Sequence, residues 1–482
     1  MNLKVISRNV GSALLVSALF MLLSVFVSLA NGKDSALAPL LISFTITFAV
    51  GVFPFIFVHK TAHISLKDGY MVIFLSWLLS FVFGALPYAL WGGPFTVMNA
   101  WFESVSGFTT TGATILEDIE ALPKSLLFWR ASTHFIGGLG VVVFLLLIIP
   151  TSSPIRLRLT NMELSSLSRD DYRTRINKTV SIFAWVYIGI CVSAFITYML
   201  LGMSPFDAVC HAFSVCASGG FSSKNLSIGA FNSTAISIAT MVFMFLASIH
   251  FGIIYVVLIS RSLRPLRNTV LRFYAGSLAV IAVVTSLGLK FSDLGLSWGR
   301  AFLDGTFHVM SYASTTGFGI SDNSMWPVLP CFMLVLVSLV CGCAGSTTGG
   351  LKVDRVMVLF KAIHMQNQKT LNPSSIYEVR MGRRILHGED IYPQVLYIAL
   401  YFLLIGLSTV LCLFVGDPNG HALTGSLASL GNVGPSLGTI GSMGNYNAEP
   451  SAIKFIFSAD MFLGRVEIYP ILAVISSIFN RK

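Results

Sequence analysis

Of 482 residues, 55% are hydrophobic and only 11% charged, a composition that excludes a soluble enzyme and describes a chain crossing the bilayer many times. The net charge of +10 would suit a nucleic-acid partner in a soluble protein; in a membrane chain its meaning depends on which side carries it. Seven cysteines (Cys191, Cys210, Cys216, Cys331, Cys341, Cys343 and Cys412) sit mostly inside apolar runs, which indicates neither a disulfide framework nor a zinc site.

Apolar runs long enough to span, at about 20 residues per crossing, are predicted at 9–31, 37–58, 69–92, 125–150, 179–202, 234–260, 270–289, 327–361, 391–416 and 452–479. The first follows Lys4 and Arg8 as a signal peptide would, but it is too long and has no small-residue cleavage site, so it reads as a retained helix. Between alternate spans lie shorter segments of moderate apolarity, at 94–108, 205–217, 299–313 and 420–430, each ending on a Gly-rich loop. Too short to cross, they have the pattern of a helix that enters halfway and returns as extended chain. Gly138-Leu-Gly140, within the fourth span, reads as tight helix packing and not as a dinucleotide site. The eighth run is interrupted at 342–350, where unwound backbone must line water or be covered by protein. A phosphate-binding loop is rejected there, because Gly-Leu-Lys stands where Gly-Lys-Ser/Thr is required and a strand-loop-helix context is missing.

The four Gly-rich loops fall into one register on Gly112, Gly220, Gly317 and Gly434, which are 108, 97 and 117 residues apart. Six positions upstream stand Ser106, Ser214, Ser311 and Ala428; nine upstream stand Glu103, His211, His308 and Gly425. A unit of roughly a hundred residues is therefore repeated four times. The predicted organisation is a two-helix extension (1–67) followed by repeats at 68–178, 179–268, 269–390 and 391–482, with loops at 109–113, 217–221, 314–319 and 431–435. Any one such loop is as well explained by close packing, whereas four in register favour a ring of backbone carbonyls about one axis. Carbonyls replace a cation's hydration shell without binding irreversibly, and glycine reaches the backbone angles that aim them inward. Each short helix would also turn its partly negative carboxyl end to the centre. Glu103, His211 and His308 read as hydrogen-bond partners behind the loops.

Of the 31 Lys and Arg residues, only Lys33, Lys124, Arg130, Lys224, Lys290, Arg300, Lys454 and Arg465 lie outside segments that share one side if both termini face the cytoplasm. The positive-inside rule fixes that orientation and accounts for the basic charge without nucleic acid. The Gly-rich loops then open outward, followed by Glu117, Asp118, Glu120 and Asp322, which serve either to concentrate cations or simply as solvated loop.

The motifs Ser106-Gly-Phe-Thr-Thr-Thr-Gly112, Ser214-Val-Cys-Ala-Ser-Gly-Gly220, Ser311-Tyr-Ala-Ser-Thr-Thr-Gly317 and Asn432-Val-Gly-Pro435 together resemble the potassium transporters of the Trk/Ktr/HKT superfamily. The last motif and the extra amino-terminal helix pair resemble the Trk type. The resemblance implies an all-α integral membrane fold of four pseudo-symmetric helix–pore-loop–helix repeats around a central pore. It also implies potassium uptake across the cell (inner) membrane through that pore, with the potassium ion as bound and transported ligand and no covalent cofactor. Ion-coordinating positions carried over are Thr110, Thr111, Gly112, Ser218, Gly219, Gly220, Thr315, Thr316, Gly317, Asn432, Val433 and Gly434. A gate is carried over onto Gly345, Ser346, Thr347, Thr348, Gly349 and Gly350, with Arg465 of the last span against it. Arg465 is either a barrier to cation passage or a tie holding helices together; Glu467, two residues on, points away from it on a helix. The resemblance further implies a homodimer and a cytosolic, nucleotide-binding, TrkA-like regulatory subunit docking on the basic segments 151–178 and 362–390, which face anionic lipid in any case. Ser218-Gly219 and Asn432-Val433 depart from the Thr-Val-Gly-Tyr-Gly filter of tetrameric channels, leaving sodium-coupled or sodium-permeable transport as the near alternative. A membrane-embedded enzyme using Glu103, His134 or His250 is the distant one, since no nucleophile–base spacing recurs around them.

Overall fold

A computed structural model of the chain describes residues 2–58, 65–148, 176–374, 377–382 and 384–479. An amino-terminal pair, α1 (Leu3–Ala30) and α2 (Leu37–Phe57), precedes the repeats. Their backbones cross where a methyl group on Gly11 would stand 2.6 Å from the Gly51 carbonyl oxygen, the small-residue contact that lets apolar helices approach in lipid. α1 buries Val5, Val10, Leu14, Met21 and Val25, whereas α2 leaves most of its apolar side chains exposed.

After this pair, one pattern occurs four times: a long helix, a short helix, an extended segment and a returning helix that is broken. The first instance runs α3 (Leu66–Trp91), α4 (Val97–Phe108) and α5 (Lys124–Ile148). The second runs α6 (Ile176–Leu200), α7 (Pro205–Ala217), α8 (Thr234–Ser248) and α9 (Phe251–Ser260). In the third, α10 (Thr269–Lys290) and α11 (Trp298–Ala313) lead to α12 (Val328–Leu339) and α13 (Val353–Leu371). The fourth comprises α14 (Gly388–Val415), α15 (Ala422–Leu430), α16 (Ser451–Arg465) and α17 (Tyr469–Phe479). The short helices start where a side-chain oxygen accepts an otherwise orphaned amide: Thr96 from Asn99, Ser204 from Asp207 and Ser297 from Arg300. α15 has no such cap, and the Asp417 carboxylate accepts from the Ala422 amide instead, at 2.7 Å.

The expectation of uninterrupted helices at 125–150, 234–260 and 452–479 is corrected. α5 turns at Gly140 (φ 73°, ψ 141°), α8 and α9 meet at 102°, and α16 and α17 are parted by Val466–Ile468, where Glu467 has φ 55°. With the predicted interruption between α12 and α13, every returning helix is therefore broken, and six helices among the described residues are long and apolar enough to cross unaided. Hydropathy averages composition over a window, and a lone His250 or Glu467 at a break is diluted by the apolar residues on either side. Gly140 is likewise not a packing glycine, because a methyl group there would meet nothing within 4 Å; Gly138, against Ala217 at 2.5 Å, is one.

Two further differences concern the inner face. Lys352 and Arg355, counted from sequence among cytoplasmic cations, are buried at 8% and 4% exposure. A hairpin of three-residue strands, Val379–Met381 with Arg384–Leu386, adds a small β element to a helical fold, with Gly382 (φ 61°) in its turn. The basic segment 151–178 lies largely outside the described residues, which resume at 176.

Candidate functional site

The four extended segments share one backbone conformation. Two residues before each register glycine, a non-glycine residue adopts a left-handed φ: Thr110 (54°), Ser218 (57°), Thr315 (53°) and Asn432 (51°). Gly112, Gly220, Gly317 and Gly434 are themselves left-handed, at 81°, 84°, 76° and 84°. Glycine adopts such angles readily, but the four non-glycine residues are strained there and persist only where the surroundings enforce them. Part of that enforcement comes from the short helices. The amides of Thr111, Gly219, Thr316 and Val433 each donate, at 2.9 Å, to the carbonyl of Ser106, Ser214, Ser311 or Ala428, the residues six before the glycines.

The segments meet in a closed ring. A methyl group on Gly112 would lie 2.0 Å from the Gly219 carbonyl oxygen, one on Gly220 2.0 Å from that of Thr316, one on Gly317 2.6 Å from that of Val433, and one on Gly434 2.2 Å from that of Thr111. Each glycine thus abuts the carbonyl preceding the glycine of the next repeat, and the fourth returns to the first. All four glycines line one cavity of about 70 Å³, together with Glu117 and Tyr446.

Behind the ring, the residues nine before the glycines tie each short helix to its own returning strand. Glu103 accepts from Thr114 Oγ1 (3.0 Å), the Ile115 amide (3.1 Å) and Arg130 Nε (2.7 Å). His211 Nε2 shares a hydrogen bond with Ser222 Oγ (2.8 Å), and His308 Nε2 one with the Ser321 carbonyl (3.1 Å). The fourth repeat has Gly425 there because the Phe457 ring fills the space, 2.4 Å from where a methyl group would stand. These residues are hydrogen-bonded posts, as their type and position predicted. Sequence reasoning missed Arg130, whose guanidinium also donates to the Ser222 carbonyl and lies 3.9 Å over the Phe221 ring, joining the first repeat to the second. A cation inside an apolar run was the available signal. It also missed Tyr312 and Tyr446, whose hydroxyls donate to the carbonyls of Ser436 (2.7 Å) and Gly434 (2.8 Å).

At the mouth, Asn225 links the first two repeats: its amide donates to Asp118 (2.9 Å), and its carbonyl oxygen accepts from the Ile119 amide (2.6 Å). The Asn225 contact holds the Asp118 carboxyl below its usual range. Lys224 offsets part of that charge at Glu120, 3.5 Å away.

The unwound segment 340–352 lies under the ring. Cys341 and Lys352 close its base as a parallel bridge, and the Ala344 amide donates to Asp354 at 2.6 Å. Its tip reaches the loops above: Thr347 Oγ1 shares a hydrogen bond with Ser218 Oγ (2.8 Å), and the Gly349 amide donates to Thr315 Oγ1 (2.9 Å). A methyl group on Gly349 would meet the Gly431 carbonyl at 2.5 Å and Asn432 Cβ at 2.7 Å, so glycine permits this approach. Ser346 bonds within the segment, to the Cys343 carbonyl (2.6 Å) and Thr348 Oγ1 (2.8 Å), and Gly345 (φ 77°) passes the His250 ring. The buried Lys352 ammonium donates to the Thr348 carbonyl, an inward turn that its sequence position did not disclose.

Arg465 ends α16 at its break and donates to two carbonyls, Thr347 on the unwound segment and Gly137 on α5, each at 2.8 Å. Of the two sequence readings of this residue, barrier and tie, these contacts are those of the tie. Glu467 turns away from it, as expected, and pairs with Arg355 at 2.7 Å, while the Arg355 guanidinium stacks 3.7 Å over Tyr397. His134 and His250, weighed as enzyme residues, lie apart in structural roles. His134 bonds Ser214 Oγ at 3.0 Å and stacks on Phe221, and His250 caps α9 through the Gly252 amide. Among the described residues no group of His, Cys, Asp and Glu is arranged to hold a metal ion in the manner of a metalloenzyme.

Comparison with known proteins agrees with this architecture. The chain is 32% identical to the Trk system potassium uptake protein TrkH of Halomonas elongata and 29% identical to that of Salmonella typhimurium, with all of each chain covered. The crystal structure of the potassium transporter TrkH from Vibrio parahaemolyticus superposes with a TM-score of 0.89 at 27% identity, covering both chains completely. The sequence model of the TrkH family, described as a cation transport protein, matches residues 39–480, and the chain therefore belongs to the TrkH family.

Proposed function

We propose that this chain carries potassium ions into the cell across the inner membrane, through one pore whose narrowest part is the ring at Gly112, Gly220, Gly317 and Gly434. The observation that carries the reading is the closed contact of each glycine with the carbonyl of the next repeat, which gathers main-chain oxygens from all four around one axis. Potassium as cargo is supported by the function named for the relatives, and membrane residence by the apolar helices. In this reading the carbonyls of Thr110, Thr111, Ser218, Gly219, Thr315, Thr316, Asn432 and Val433, beside the glycines, replace the ion's water.

The segment Gly345–Gly350 is the gate, and Arg465 holds it shut by its bond to the Thr347 carbonyl. A cytosolic, nucleotide-binding regulatory subunit acts on that gate from the inner face, and two chains assemble with one pore each. The family and fold are those of transporters, and the chain is not an enzyme. Growth of uptake-deficient cells in low potassium tests the function: expression restores growth, and Gly317→Asp, which sets a carboxylate against Val433 and Pro435, abolishes the rescue. Rescue that survives this substitution overturns the proposed pore. Reversal potentials in planar bilayers separate potassium from sodium as the permeant ion.

A further inference from the structure

We infer that His134 is a positioning residue of the second Gly-rich loop: its ring, supplied by the first repeat, fills the place that the loop's own side chain fills in the other three repeats, and thereby fixes the Gly219 carbonyl and the ion preference of the ring. The residue immediately before each register glycine is Thr111, Gly219, Thr316 or Val433, and the second alone has no side chain. In the other three that side chain is fully buried, and Thr111 and Thr316 each bond the hydroxyl two residues back, on Thr109 and Ser314, at 2.8 Å. At Gly219 a methyl group would stand 2.3 Å from His134 Nδ1, 2.5 Å from Cγ and 2.6 Å from Cε1, against the imidazole itself. The backbone of Gly219 is not left-handed, so glycine is required there for space and not for conformation.

The imidazole is itself held in place. Its Nδ1 shares a hydrogen bond with Ser214 Oγ (3.0 Å), and Ser214 is also the residue whose carbonyl accepts from the Gly219 amide at 2.9 Å. The ring stacks on Phe221, with centroids 4.1 Å apart and planes 16° apart, and the Arg130 guanidinium lies 3.9 Å over the same phenyl ring. Two residues of α5 therefore grip the second loop at Gly219–Phe221. The Gly219 carbonyl belongs to the one peptide of the ring that lies between two glycines, where no Cβ on either side restricts rotation. Its oxygen faces Gly112 and makes the joint between the first two repeats. Without the imidazole a cavity would adjoin that peptide. The oxygen could then turn from the axis, and discrimination among cations depends on how many carbonyls face the ion and how firmly they are held.

This inference rests on the proposed function, since it concerns the ion preference of that pore. It is tested with the full chain in planar bilayers, by reversal potentials with potassium on one side and sodium on the other. In His134→Ala the Gly219 peptide loses its backing, and the potassium-to-sodium permeability ratio falls by about tenfold, the factor that one interaction of hydrogen-bond size sets, while potassium current persists. Gly219→Ala alone drives a methyl group into the imidazole and abolishes current. Combined with His134→Ala it restores current, with a ratio above that of His134→Ala alone, because the new methyl group takes up part of the vacated space. A histidine with a merely structural role would lower the unfolding midpoint and leave the ratio at the parent value, and that result overturns the inference. So does a loss of current in Gly219→Ala that removal of His134 fails to relieve. Should His134→Ala not accumulate, His134→Leu keeps volume for folding but neither the flat ring nor the bond to Ser214, and the same fall in ratio is expected of it; an unchanged ratio counts against the inference equally. A parent chain that passes no potassium current overturns the proposed function instead.

Discussion

A single methyl group on Gly220 would have to share space with the Thr316 carbonyl oxygen, 2.0 Å away, and neither can yield because both belong to the ring. Gly220→Ala also forces an L-residue to φ 84°, at a cost of about 1–2 kcal/mol before any clash is counted. The variant is expected to lose rubidium-86 uptake while remaining in the membrane fraction, and retained uptake would show that the ring tolerates opening at one joint. Glu103 makes a different prediction. Its carboxylate is completely buried against Arg130, and removing one partner of such a pair costs about 3–5 kcal/mol. Glu103→Ala is expected to lower the unfolding midpoint of the detergent-solubilised chain markedly, and Glu103→Gln, which keeps an oxygen for Thr114 and Ile115, to lower it less. Equal midpoints for the two variants would mean that the charge is irrelevant. At this scale much was legible: the register glycines and the polar residues nine before them stand in the sequence at fixed offsets. The partners across repeats, such as Arg130 to the Ser222 carbonyl, were not, because they join residues roughly a hundred positions apart that no local pattern relates.

The short helices were readable as elements because each is a moderately apolar stretch ending on a Gly-rich loop, and their observed bounds differ from expectation by three residues or fewer. Breaks in the returning helices were readable only at 340–352, where glycines and hydroxyls cluster. At α5 the three glycines have three different jobs. A methyl group on Gly137 would stand 1.8 Å from the Phe108 carbonyl oxygen, one on Gly138 2.5 Å from Ala217 Cβ, and one on Gly140 would meet nothing. Gly140→Ala is therefore expected to cost about 1–3 kcal/mol through its backbone angle alone, leaving uptake measurable. Gly137→Ala, which drives a methyl group into the backbone at the foot of the first Gly-rich loop, should abolish uptake. Similar losses at both positions would show that α5 carries no privileged break. Arg465 belongs to this scale too, since it bridges the break of one returning helix to those of two others through Thr347 and Gly137. Charged hydrogen bonds of this kind are worth about 1.5–3 kcal/mol each. If they hold the segment closed, Arg465→Ala raises rubidium-86 flux about tenfold or more; equal or lower flux at normal expression would leave the arginine as a helix tie only.

For the whole molecule, the number of crossings decides how the two faces differ. In the proposed topology the amino-terminal pair and four repeats of one long and one broken helix make an even count of crossings, with both ends of the chain on one side and the short helices dipping and returning on the other. In that topology the ring's mouth, with Glu117, Asp118 and Asn225, opens away from the face that carries Arg261, Arg264, Arg267, Lys361, Lys369 and Arg380. Basic segments resist translocation, which is the ground for proposing the latter face as the cytoplasmic one. Burial of Lys352 and Arg355 thins that charge without reversing it, since both point into the protein and not across it. The described cysteines are buried, apart from the half-buried Cys331, so single cysteines introduced at the two faces can be read against a low background. In intact cells a membrane-impermeant maleimide is expected to label Asn225→Cys from outside, and to label Arg267→Cys only after permeabilisation. Labelling of Arg267→Cys in intact cells would invert the molecule, place the proposed gate outside, and remove the basis for control of the pore from the cytosol.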